Sequence, residues 1–246
     1  VIHTARYNYT DMTLEYAYKS ITEDTWHIEV VDKFEGDKYG WEIIYGGLLM
    51  MAVDDKAVYI AYAGIKGRYT DSIKLAIRPF DEKKWYVMEV TKGDYYYHNF
   101  EFELEVSDNN VYLLLLNILY KINVEGEGVE VFPLQISGHM YWREAFSSGN
   151  TSTPYIIYRG IIPDSDFVYV IAETGIYDYT QNKYRWHEIK VLKLDFQSRN
   201  LEELFSFPAC ISGFCFHAWY GRLIAFKSSG KLEIFLQYER IQYELS

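Results

Sequence analysis

The chain has 246 residues, 49% of them hydrophobic and 24% charged, with 24 basic against 35 acidic side chains and a formal charge of −11. That length suits a single all-β domain, and an ordinary apolar share with only five prolines argues against disorder. A nucleic-acid partner is disfavoured, because tracking phosphates needs clustered Lys and Arg and the sequence has no such cluster.

No apolar run approaches the roughly 18 residues of a membrane-spanning helix; the longest, Val111–Leu116, suits a buried strand. Aromatic residues make up 18% of the chain, with 25 Tyr, 14 Phe and 6 Trp. Tyrosine fits pleated, half-buried surfaces and is enriched where proteins make contacts, so this excess favours strands. The chain opens at Val1 instead of Met, which reads as a processed form or a piece of a longer protein.

In chain order, one strand pattern returns. "VIHTARY" at Val1 is followed by "VYIAYAG" at Val58, "VYLLLL" at Val111, "FVYVIAE" at Phe167 and "RLIAFKS" at Arg222, at separations of 57, 53, 56 and 55 residues. Each is trailed by a second strand ("TLEYAYK", "IKLAIRPF", "LYKINV", "EIKVLKLDF", "KLEIFLQY"). After a polar turn comes a third ("WHIEVVD", "WYVMEV", "VEVFPL", "LEELFSF", "IQYELS"). A further strand precedes each unit but the first: "GLLMMAVD", "FEFELEVSD", "YIIYRG" and "CFHAWYG". Short strands at regular spacing, with no helical period, predict an all-β repeat fold. Four strands per roughly 55-residue unit predict a β-propeller of about five blades, one domain over 1–246. An immunoglobulin-like sandwich competes, but it does not produce five equal periods. The first blade lacks its innermost strand, so a strand donated by upstream sequence or a neighbouring chain is one expected partner.

The stretches "ARYNYTDMTLEYAYKSITEDTWHIEVVDKFEGDKYGWE" and "VYIAYAGIKGRYTDSIKLAIRPFDEKKWYVMEV" resemble repeats of the sialidase (neuraminidase) superfamily. In "SITEDTW" the family's Asp box keeps Ser20, Thr25 and Trp26 without its glycine, and "DEKKW" keeps a turn carboxylate and Trp85. The resemblance implies a propeller in which these boxes are structural turns. A sialidase site also needs an arginine trio for the substrate carboxylate and a Tyr activated by a Glu. Nine arginines occur, none in a recognisable family motif. "YRGIIPD" at Tyr158 has inserted residues relative to the family's arginine motif and reads as a strand–loop junction. Five-bladed glycosidases use three carboxylates instead, and with 35 Asp and Glu any trio chosen by eye is arbitrary.

Other chemistries leave no trace. Six histidines are scattered singly without zinc-ligand spacing, and no phosphate loop or nucleophile elbow is present. No metal or other cofactor is expected. Cys210 and Cys215 read either as small buried apolar residues or as a short-loop disulfide of an extracellular protein. Two sequons begin at Asn8 and Asn150.

One pattern does point to function. The junctions leading into successive inner strands deliver aromatics beside His or charged residues: Tyr39, Trp41 and Glu42; Tyr97 and His98; Tyr141, Trp142, Arg143 and Glu144; His217 and Trp219. Aromatic faces stack on sugar rings or cations while His, Glu and Arg supply directional hydrogen bonds. The same bulky residues also serve as wedges between blades. The loops "NYTDM", "GIKGRYTD" and "ETGIYDYTQNKYRWH" are expected on the same face. The expected function is non-enzymatic recognition of a glycan or protein surface, outside the cell or on its surface. The alternatives are an assembly module and, third, a glycoside hydrolase or lyase.

Overall fold

The computed structural model describes residues 1–8, 10–36, 49–67, 69–95, 102–125, 128–141, 154–178, 183–211, 214–215, 223–228, 231–236 and 239–240. Every regular element among them is a strand. The chain divides into two compact units, Val1–Val106 and Ser107–Ser246, and each is taken by itself.

In the first unit, β1 (Ile2–Asn8), β2 (Thr13–Lys19) and β3 (His27–Lys33) form a three-stranded antiparallel meander. The first turn is built by Asn8, whose Oδ1 accepts the amides of Thr10 and Asp11 at 3.1 and 3.2 Å. This is the local side-chain mimicry of a backbone turn for which Asn is chosen. A short β4 (Glu35–Gly36) runs parallel to β6. Then β5 (Leu49–Val53), β6 (Ala57–Gly67), β7 (Tyr69–Pro79) and β8 (Tyr86–Tyr95) make a four-stranded meander. The two sheets meet face to face. Leu14, Tyr16 and Val31 of the first pack on Val58, Ile60, Tyr62 and Ala76 of the second. The stretch Ala57–Ala63 is buried at every position, as a strand covered on both faces must be.

The second unit opens within β9 (Phe102–Ser107), which continues through β10 (Asn110–Leu115), β11 (Ile118–Asn123) and β12 (Val129–Pro133) as another antiparallel meander. Asp108 and Asn109 both take positive φ, 50° and 61°, the geometry of a two-residue hairpin turn that matches strand twist. A two-residue β13 (Met140–Tyr141) runs parallel to β14 (Tyr155–Pro163), and β15 (Phe167–Asp178), β16 (Lys183–Asp195) and β17 (Leu201–Pro208) follow antiparallel. These two sheets also stack: Tyr112, Leu114, Leu119, Phe132 and Leu134 lie on Ile156, Tyr158, Val168, Val170, Ala172, Leu192 and Leu194. Last come β18 (Cys210–Ile211) and β19 (Phe214–Cys215), the hairpin β20 (Leu223–Ser228) and β21 (Lys231–Leu236), and β22 (Glu239–Arg240).

Among the described residues the strands form one three-stranded and three four-stranded antiparallel meanders, followed by the two-stranded β20–β21 hairpin. "IQYELS" lies outside the described residues. Two expectations are corrected. The loops "GIKGRYTD" and "ETGIYDYTQNKYRWH" are largely strand, because β6 and β7 pair out to Lys66↔Tyr69 and β15 and β16 out to Asp178↔Lys183. "YRGIIPD" is not a strand–loop junction: β14 continues through it to Pro163, with an irregularity between Tyr158 and Gly160. The strand "GLLMMAVD" is half-buried as β5, and β6 beside it is the sealed one.

Candidate functional site

Of the residues singled out in the sequence, Tyr39, Trp41, Glu42, Tyr97, His98, Trp142, Arg143, Glu144, His217 and Trp219 lie outside the described residues. Tyr141 is described. It sits half-buried on β13, in register with Ile156 of β14.

The first unit carries a dense polar and aromatic seam between its sheets. Glu29 of β3 receives two bonds from Arg78 of β7, Nε and Nη2 each at 2.7 Å, and a third from Trp85 Nε1 at 3.0 Å. Around this fork, Tyr16 stacks on Tyr18 at 5.5 Å, Tyr18 stacks on His27 at 5.0 Å, and Trp85 meets Tyr16 edge-on at 5.3 Å. The Arg78 guanidinium stands 5.8 Å over the Tyr18 ring. Tyr16 completes the seam with a 2.6 Å bond to His3 Nδ1, and its burial pushes the phenol up to about 12. Further along β3, Asp32 accepts Tyr62 Oη at 2.6 Å and Lys74 Nζ at 2.9 Å. Partial burial pushes the Asp32 carboxyl up, but these two bonds outweigh it and hold the group below the usual carboxylate range. Glu29, Arg78, Trp85, Tyr16, Asp32, Tyr62 and Lys74 are thus each hydrogen-bonded within this seam, which is how a joint is built. The exposed aromatics at the turn ends, Trp26 under Lys19 and Tyr86 under Lys84, are the part of this region open to contact.

The second unit contains a Tyr–Glu–Arg set of the kind a sialidase needs. Glu173 of β15 accepts Tyr155 Oη at 3.2 Å and Arg159 Nε and Nη2 at 3.3 and 3.2 Å. Both Glu173 and Tyr155 are sealed from solvent. A nucleophile must be reached by substrate, and this one is not; the guanidinium instead neutralises a buried carboxylate that would otherwise be too costly to ionise.

The opposite face of the same sheet is different in kind. Register places Tyr141, Ile156, Thr174 and Glu188 in one row across β13 to β16, and Tyr158, Ala172 and Lys190 in the next. Beyond these rows the face is purely apolar, with Val168, Val170, Leu192 and Leu194. Thr174, Glu188 and Lys190 thus bring polar side chains to one end of this face, beside the core residues Ile156, Tyr158 and Ala172. Lys190 Nζ reaches Glu203 at 2.6 Å and Glu188 at 3.9 Å. Thr174 Oγ1 and His139 Nε2 are buried without a hydrogen-bond partner, a condition costing about 1–3 kcal/mol for each group. Thr174 and Tyr158 are wholly enclosed and brace the end from within, whereas His139, Tyr141 and Glu188 stand half-exposed at its rim. Sequence reasoning missed Glu188 and Lys190. The signal was "EIKVLKLD", where two charges fall in phase with two core leucines.

Elsewhere, desolvation pushes the carboxyl of Glu105 on β9 up. Among the described residues no three His, Cys, Asp or Glu side chains gather within metal-binding reach.

Fold and rim together define an all-β protein of successive antiparallel meanders. No protein-family model matches the chain, and no curated protein matches it. A solved structure described as Bacteroides ovatus Xyloglucan PUL GH43B aligns over 92% of this chain with a TM-score of 0.41 and 11% identity. This chain spans 50% of that protein's length. A likeness of that size carries neither fold nor activity across.

Proposed function

We propose that the chain is a β-propeller recognition module of about five blades, which binds a glycan or glycan-bearing protein surface without cleaving it. The observation that carries this reading is the polar end of the β13–β16 face. A core face carries Thr174, Glu188 and Lys190 there, beside the one predicted binding junction that is described, Tyr141. Half-exposed Tyr141 and Glu188 offer an aromatic plate beside a carboxylate, the combination that sugar sites use. Trp142, Arg143 and Glu144 follow Tyr141 directly and extend the same chemistry. Successive meanders that stack face to face within each unit support the propeller, as does the placing of both Asp-box-like turns between the last two strands of their sheets. The proposed setting is the cell surface or the extracellular space.

A second reading, assembly by strand donation, has its own support. Among the described residues β1 pairs with β2 alone, whereas its counterpart β6 is flanked on both sides. A glycan array probed with the purified chain separates the two. The recognition reading expects discrete glycan hits that Trp142→Ala abolishes. Silence on the array, with concentration-dependent association in sedimentation, selects assembly.

A further inference from the structure

We infer, resting on the glycan-recognition reading, that the Glu188 end of the β13–β16 face selects a sugar carrying a free primary amine and turns acidic sugars away. Two carboxylates and one ammonium meet there. Lys190 Nζ is committed to Glu203 at 2.6 Å, while Glu188 stands 3.9 Å from the same nitrogen. The first pair is hydrogen-bonded; the second is a Coulombic contact alone, because such a bond needs an approach of about 3.2 Å or less. The Lys190 side chain is 8% exposed and held in place, whereas that of Glu188, at 26%, is reached by water. Among the described residues Glu188 accepts no hydrogen bond. The three groups together carry one negative charge in excess.

A second observation lies on the same face. Thr174 is the register partner of Glu188, and partners across an antiparallel ladder point to one side of the sheet. Thr174 is wholly buried and its Oγ1 has no hydrogen-bond partner. Unmet polar capacity therefore runs inward from the rim carboxylate instead of ending at it. A carboxylate offers acceptors only, so its complement is a compact group rich in donors. A primary ammonium brings three donors on one atom together with the opposite charge. A sugar hydroxyl brings one donor and no charge. An acidic sugar would set like charge against Glu188 and Glu203, and a guanidinium to grip its carboxylate is engaged elsewhere: Arg159 of β14 holds Glu173 at the opposite face.

The test is calorimetric titration of the full chain with a glucosamine oligomer, its N-acetylated counterpart and a galacturonic acid oligomer. The expected result is saturable binding of the glucosamine oligomer, about tenfold weaker binding of the acetylated one, whose nitrogen is neutral, and none of the acidic one. Raising the salt should weaken the first. Glu188→Gln keeps the shape and removes the charge, so it should level the first two affinities. Glu203→Gln frees Lys190 to turn to Glu188 and should do the same. Glu202→Gln is the control and should change nothing, since register sets Glu202 beside Lys193, on the other face from Lys190. An equal loss in Glu202→Gln would reveal a general attraction of a polycation to an acidic chain and would overturn the inference. Equal binding of the amine and acetylated oligomers overturns it too, with glycan recognition left standing. A chain that binds none of the three yet hits other glycans on the array overturns the inference alone. Silence on the array as well removes the recognition reading with it.

Discussion

Arg78→Ala should be among the most damaging single substitutions in the first unit. Its side chain is 9% exposed and spans two sheets to reach Glu29, itself 27% exposed. Removing it deletes two bonds of 2.7 Å and leaves Glu29 ionised with Trp85 as its remaining described partner. Breaking a buried pair from one side costs about 3–5 kcal/mol. Water can reach Glu29 in part, so the lower end, about 3 kcal/mol, is expected. Loss of the ring contact with Tyr18 adds less than about 1 kcal/mol. Arg78→Lys keeps the charge but not the fork, and should fall about midway. The informative variant is Glu29→Gln/Arg78→Met, which replaces the charges with groups of similar size and should recover all but about 1.5 kcal/mol. Urea unfolding followed by tryptophan fluorescence reads all four proteins, with the slope checked for constancy. The reasoning is refuted if Arg78→Ala costs under about 0.5 kcal/mol, or if the double variant is as unstable as Arg78→Ala.

Three further outcomes follow from the same geometry. Asp32 is held below its ordinary pKa in the folded chain, so the unfolded chain takes up its proton first. Its contribution is complete above about pH 4 and is lost as pH falls further through the folded value. The urea midpoint of the wild type should therefore drop more steeply below pH 4 than that of Asp32→Asn. Thr174→Val removes a buried hydroxyl that has no partner while keeping its shape, so it should raise stability by about 1 kcal/mol; an equal loss would mean the hydroxyl is bonded after all. Tyr155→Phe should cost about 1 kcal/mol and leave ligand binding unchanged. A selective loss of binding or activity in that variant would show that the sealed Tyr155–Glu173 pair is reached by substrate.

Much of the strand order was legible because each strand announces itself locally. "VYIAYAG" and "IKLAIRPF" are β-branched and aromatic runs, and the turns between strands carry Asn, Asp and Gly. The outer ends of two hairpins were not legible, since "GIKGRYTD" and "YDYTQNKYRW" hold the polar and glycine residues typical of loops, yet cross-strand pairing runs on as far as Lys66↔Tyr69 and Asp178↔Lys183. The sealed position of β6 was hidden for another reason: burial on both faces depends on the neighbouring sheet, and "GLLMMAVD" is the more apolar string. Least legible were the joints. Glu29 and Arg78 are 49 residues apart, and nothing local marks either as the other's partner. The Tyr155–Glu173–Arg159 set shows the converse difficulty. Its residue types suggest catalysis, and only burial assigns them to structure.

Recognition without cleavage can be checked in one incubation. The chain is held for a day with the best-bound glycan from the array, and the mixture is examined by mass spectrometry for new reducing ends or unsaturated products. The account predicts saturable binding with the glycan recovered intact. Released sugar, abolished by substitution of a single carboxylate, would contradict it and make the protein a glycoside hydrolase or lyase.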